Sequence, residues 1–312
     1  MRVYVETGFK DHFLTLPRDE NKAVKILWNI IDNYAEVTWV FNADVSIEDF
    51  ERQEVSDTLF AKISSKGSNE LLWVKNFQDD VKKYQDVAQI YLAAEKKEWH
   101  AEIMPNTLFL TIESFAKTLQ DFEEKFTFKF IPDENNSWNE FENLKTDLVS
   151  TITITDKYIL ASYLDKNNIK KFDNNFVFLI NKIIRSGSEH LTILIKSSDL
   201  DRGKYEDLKK KLTALSSYLK KRLHSDIKIT VINAELDGDY DFHDRNIITP
   251  YYIVKAGKGF ERVGRKSVNT EVECYSLLDK WGYDLIRHRR RMVTNYMQSI
   301  TQMNIPFKSM TL

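Results

Sequence analysis

The chain has 312 residues, 42% of them hydrophobic and 29% charged, with only 9 glycines and 5 prolines. Those proportions exclude a disordered, collagen-like or linker-rich protein and leave a globular one long enough for two domains of ordinary size. The formal net charge of −2 conceals a division: residues 1–150 carry 17 Lys/Arg against 28 Asp/Glu, a net of −11, whereas residues 151–312 carry 28 against 19, a net of +9.

In chain order, Val3 and Val5 open a first strand. Ala23, Val24, Ile26, Leu27, Ile30 and Ile31 then recur at three-to-four spacing, the stripe of an amphipathic helix. Residues 37–41, 71–74 and 108–112 are short apolar runs of buried-strand type, with helical stretches between them. Strand–helix alternation of this kind predicts an α/β layer around a largely parallel sheet. Asp133-Glu134-Asn135-Asn136-Ser137 is the most loop-like cluster, and a short helical stretch from Trp138 to Leu148 follows it. A domain boundary is therefore expected near residue 148, dividing an acidic α/β domain (1–148) from a basic one (149–312). The second half reads as strand 151–155, a helix marked by Phe172 to Ile184, strand 191–195, a long amphipathic helix from Tyr205 to Leu223, and strand 227–231. A hairpin over 240–256 and a helix from about 282 to 302 complete it. The fold class expected is α/β in two domains, the second with a mixed sheet.

No apolar run approaches the roughly 18 to 20 residues of a spanning helix. The amino terminus reads as a strand and not as a signal peptide. One cysteine, Cys274, excludes an internal disulfide and fits a reducing compartment. With a composition rich in Lys, Asn and Ile, these features predict a bacterial cytoplasmic protein. Phosphate-loop, dinucleotide-glycine, zinc-ligand and HExxH patterns are absent, so no cofactor is expected. The acids Asp44, Glu48, Asp49 and Glu51 have the chemistry to hold a metal, but helices display such acids routinely and no metal is expected.

Residues 242–260 carry the strongest functional signal. His243 and Arg245, two apart on a strand, share a face. Lys255 and Lys258 follow, set around Gly257 and Gly259, whose turn brings backbone N–H groups within reach of an anion. Asp156, at the end of the strand 151–155, is either a site carboxylate or a turn and capping residue. Together, the run Ile154-Thr155-Asp156-Lys157-Tyr158-Ile159, the triplet His243-Asp244-Arg245 and the run from Lys255 to Phe260 resemble the phospholipase-D-like domain at the carboxyl end of MIT-domain proteins, and its bacterial relatives. The resemblance covers residues 150–280 and leaves the first half unassigned.

In that superfamily a His-x-Lys-(four residues)-Asp motif attacks phosphorus through its histidine. Here His243 takes the histidine position, Arg245 replaces the lysine, and Pro250 stands where the motif has aspartate. The MIT-type relatives are binding domains, so the resemblance implies recognition of a phosphate-bearing ligand by His243, Arg245, Lys255 and Lys258. From the residues alone, His243 could instead be hydrogen-bonded within the fold to Asp241 or Asp244, or be catalytic at a dimer interface. Arg245 serves equally for phosphate binding or for a salt bridge.

Arg287, Arg289, Arg290 and Arg291, flanked by Trp281, Tyr283 and Tyr296, form a dense basic segment. It suits a nucleic-acid backbone, or the acidic first half of the same or another chain. The function expected is a non-catalytic binding and assembly protein, with nucleic acid as ligand and a protein partner or second copy also expected. By analogy with bacterial modules of this kind it would serve in anti-phage or anti-plasmid defence. A metal-independent phosphodiesterase or nuclease built on His243 is the alternative. Anionic lipid ranks below both, because no insertion helix or lipid anchor is evident.

Overall fold

A computed structural model describes residues 1–42, 58–130, 141–142, 144–156, 158–165, 169–184, 190–195, 205–223, 227–233, 245–257, 260, 271–302 and 309–311. The chain is mixed α/β and groups into two compact units. One comprises Met1–Glu124 with Leu277–Tyr283, the other Lys125–Ser276 with Asp284–Leu312.

The first unit is built on a five-stranded, wholly parallel sheet of β1 (Arg2–Val5), β2 (Thr38–Asn42), β3 (Glu70–Val74), β4 (Gln89–Ala93) and β5 (Leu108–Thr111). The strand order β3-β2-β1-β4-β5 grows outward from β1 in one direction and then, from β4 onward, in the other. Parallel pairing forces each connection to cross over, and helices supply the crossovers: α1 (Thr7–Thr15), α2 (Lys22–Asn33), α3 (Thr58–Ser64), α4 (Phe77–Lys83) and α5 (His100–Ile103); α6 (Phe115–Phe126) follows the last strand of this sheet.

The apolar stripe expected for α2 is buried at all six positions, and Asn21 caps the helix by accepting the Val24 N–H at 2.9 Å. Both faces of the sheet are covered. Tyr4, Val40 and Tyr91 pack with Phe77 and Val81 of α4 and Ile103 of α5. Phe41 points to the opposite face from Val40 and meets Phe60 of α3 edge-on at 4.8 Å. This accounts for β1 and β4, whose residues are buried on both faces rather than alternately.

The second unit holds a mixed sheet in the order β13-β9-β8-β7-β10-β11-β12-β6. Its strands are β6 (Phe128–Phe130), β7 (Thr151–Thr155), β8 (His190–Ile195), β9 (Lys228–Asn233), β10 (Arg245–Ile248), β11 (Tyr252–Ala256), β12 (Val272–Ser276) and β13 (Ser309–Thr311). β7, β8 and β9 are parallel to one another, and every other pairing is antiparallel. The parallel part carries helical crossovers, as its sequence periodicity predicts. Between β7 and β8 lie α7 (Ile159–Leu164) and α8 (Ile169–Phe172), the latter running through a π-helical turn (Asp173–Val177) into α9 (Phe178–Ile183).

Between β8 and β9 lies α10 (Tyr205–Arg222), which buries Leu208, Leu212, Leu215 and Leu219. The last helix, α11 (Lys280–Gln302), lays Tyr296, Val293 and Met297 against Leu194 and Ile232. Among the described residues, no helix is long and apolar enough to cross a membrane.

Candidate functional site

In the second unit, β7 ends at Thr155 and β10 begins at Arg245, and their antiparallel register pairs Asn246 with Thr155. One step further along that register, Arg245 faces Asp156. The Arg245 Nε lies 3.4 Å from Asp156 Oδ1, with the two side chains 13% and 2% exposed. The guanidinium carbon stands 4.7 Å from the centre of the Tyr158 ring, and the Tyr158 N–H donates to Asp156 Oδ1 at 2.8 Å. Asp156 therefore serves both an ion pair and a turn. Desolvation makes such a pair costly to break from one side, since the survivor would be a buried, uncompensated charge.

Lys255 is half-buried and pairs in register with Asn246 on one side and Glu273 on the other, whereas Arg245 pairs with Ala256. Directly opposed residues share a face and neighbours along a strand alternate, so Arg245 and Lys255 project from opposite faces of the sheet. Arg245 and Asp156 are brought together; Arg245 and Lys255 are not. His243 and Lys258 lie outside the described residues, as do Asp44, Glu48, Asp49 and Glu51. Among the described residues no group of three or more His, Cys, Asp or Glu side chains converges as metal ligands do.

The four arginines of α11 spread around the helix. Successive residues turn by about 100°, so Arg289 falls on the side of Ile286, Val293 and Tyr296, the buried side. Arg287 and Arg291, one turn apart, point away from it, with His288 between them and exposed. Asp284 Oδ1 lies 3.8 Å from Arg287.

The first unit contains a feature that the sequence did not announce. Where the order of strands reverses, between β1 and β4, the connections that follow these two strands leave the C-terminal edge of the sheet in opposite directions and open a crevice. A cleft of about 590 Å³ occupies this place. Its walls come from the turn after β1 (Glu6, Thr7, Gly8), the end of β2 (Asn42), the turn into α4 (Lys75, Asn76) and the turn after β4 (Ala94, Lys97, Trp99).

Glu6 organises it. Its Oε2 accepts the Ala94 N–H at 2.9 Å, and its Oε1 accepts from the Tyr91 hydroxyl and from Lys97 Nζ, both at 3.2 Å. His100 is fully buried behind the carboxylate, with its Nε2 3.7 Å from Glu6 Oε1. The His100 Nδ1 accepts the Lys97 N–H at 3.0 Å, which places the proton of the neutral ring on Nε2, facing Glu6. Burial pulls the His100 pKa down and keeps the ring neutral. Gly8 is required here: a Cβ at this position would come 2.9 Å from that of Ala94, closer than side chains tolerate.

The only sequence sign of this cleft is Glu6-Thr7-Gly8, a polar triplet with a glycine placed directly after a strand and at the start of a helix. Glu6 and Lys97 are 91 residues apart, and nothing in their local patterns links them.

The fold and these sites define an α/β protein with one parallel and one mixed sheet. The chain matches no protein-family model, and no curated protein matches it.

Proposed function

We propose that this protein binds a phosphate-bearing ligand, with nucleic acid the favoured one, and does not cleave it. The second unit would be a phospholipase-D-like module, and the two compact units would be two domains, acidic and basic. The observation that carries the reading is the position of Pro250. It lies in the turn between β10 and β11, where the Thr249 hydroxyl accepts the N–H groups of Tyr251 and Tyr252. Arg245 stands at the far end of β10, five residues away. An extended strand places these positions roughly 16 Å apart. Proline supplies no carboxylate at this position, so the aspartate of the resembled motif has no counterpart there.

The outward pair Arg287 and Arg291 supports the nucleic-acid reading. The buried Cys274, whose thiol pKa is pushed well up by desolvation, suits a reducing cytoplasm. A place in a bacterial defence complex, with a partner protein or a second copy, remains part of the proposal by analogy alone.

Gel retardation of labelled single- and double-stranded DNA and RNA across a salt series tests it. Retardation without cleavage products is expected, with affinity falling as salt rises. Replacing Arg287 and Arg291 by Gln should make the slope of log K against log salt shallower by about 2. Absence of salt-dependent binding would overturn the reading. So would EDTA-resistant cleavage that disappears in His243→Ala.

A further inference from the structure

The cleft at the edge of the first sheet involves none of the residues assigned to nucleic-acid binding, and we propose that it binds a mononucleotide. Its location is the first argument: open parallel sheets take ligands beyond the carboxyl ends of their strands, where the strand order reverses. Its volume, about 590 Å³, falls within the range of small-molecule pockets and suits a compact ligand better than a polymer.

The lining specifies the chemistry. Two lysines, Lys75 and Lys97, and one carboxylate, Glu6, line the cleft, so its charged lining has a formal excess of positive charge. The carboxylate is already engaged. Donors from Ala94, Tyr91 and Lys97 occupy both of its oxygens, which leaves it poorly disposed to hold a metal or to repel an anion. The cleft also borders the first turn of α1, nine residues long, where no side chain caps the helix. The N–H groups of that turn add to the two lysines as anion donors.

Lys97 is held at both ends, its N–H by the buried His100 ring and its Nζ by Glu6. Such a cation is set in place before a ligand arrives, which lowers the cost of binding. The opposite requirement, a flat apolar surface, is met by Trp99, which packs on the core through Tyr91 and His100 and still borders the cleft. Cations and helix amides suited to phosphate, beside an indole suited to a base, are the recognition elements of a nucleotide. Asn42 adds an amide group at the rim for the sugar or the base edge, whereas Asn76 caps α4 by accepting the Gln78 and Asp79 N–H groups.

The test titrates the full-length protein with AMP, GMP, CMP and UMP, following heat release and tryptophan fluorescence. Matching nucleosides, inorganic phosphate and a short single-stranded oligonucleotide form separate arms. At least one mononucleotide should bind with a Kd below about 1 mM, and its nucleoside and free phosphate should each bind at least tenfold more weakly. Lys75→Gln should weaken the mononucleotide by about tenfold, and Trp99→Phe should remove most of the fluorescence change. Lys75 is exposed, so its replacement leaves the fold intact even if Lys97→Met does not. The inference is overturned if no mononucleotide binds, if nucleoside or phosphate alone binds as well, or if the oligonucleotide binds and mononucleotides do not. It also fails if binding is indifferent to both lysine replacements.

Discussion

Tyr252 and Tyr34 are both fully buried, yet their hydroxyl groups have opposite surroundings. Among the described residues the Tyr252 hydroxyl has no hydrogen-bond partner, and desolvation drives its pKa strongly upward. The ring is held by stacking on Phe126 at 4.8 Å. Tyr252→Phe keeps that stacking and removes an unsatisfied polar atom, so stability in urea should be unchanged or higher. The Tyr34 hydroxyl donates to the carbonyls of Leu278 at 2.7 Å and Leu277 at 3.1 Å. Tyr34→Phe would leave a buried acceptor without its donor and should cost about 1–3 kcal/mol in the same measurement. Equal effects of the two substitutions would show that ring packing, and not the hydroxyl, governs both sites.

At the scale of elements, the junction of β1 with α1 depends on Gly8. Gly8→Ala gains helix propensity of roughly 1 kcal/mol, but its Cβ collides with Ala94, and overpacking of this kind costs about 1–3 kcal/mol. The variant should melt lower than the wild type, and adding Ala94→Gly should restore most of the loss. A stable Gly8→Ala would mean that the turn after β4 yields readily.

Sequence periodicity made the elements of the chain legible to different degrees. α2 and α10 were readable because one stripe is apolar and the rest polar, a pattern with a single geometric solution. The strands at 37–41, 151–155 and 191–195 were readable as short runs of apolar and β-branched residues. β4 was not, because it opens with Gln89, a buried amide whose place depends on the carbonyls of Val81 and Tyr84. β6, three residues long, exists by virtue of its pairing with the distant β12. The corner at Arg245 was partly legible: Asp156 and Arg245 were singled out, but which face Lys255 takes is fixed by register, and register emerges only when the strands pair. The cleft was invisible for the same reason on a larger scale, since it is made by an order of strands and not by a motif.

At the scale of the whole molecule, among the described residues, the partly or fully buried His100 and His190 link stability to pH. Burial lowers the pKa of His100, and burial with the nearby Lys228 lowers that of His190, whose Nε2 contacts the Thr230 hydroxyl at 2.7 Å. Both rings are held neutral in the fold and titrate near the ordinary 6.5 when it unfolds. The unfolded chain therefore binds more protons below that value, and the contribution is complete above about pH 7 and lost as the medium becomes acid. Urea midpoints measured from pH 7.5 to 5.5 should fall with pH, and His190→Gln should flatten the fall. A pH-independent midpoint would contradict the assignment.

Residues 277–283 join the first unit although some 150 residues of the second precede them in the chain. The Leu277 and Leu278 carbonyls meet Tyr34, and the Tyr283 ring stacks on that of Tyr34 at 4.5 Å. Synthesis is vectorial and proceeds at about 5 to 20 residues per second. A nascent chain therefore carries the first unit unfinished for roughly 8 to 30 s, with the ring and hydroxyl of Tyr34 awaiting partners that the ribosome has yet to make.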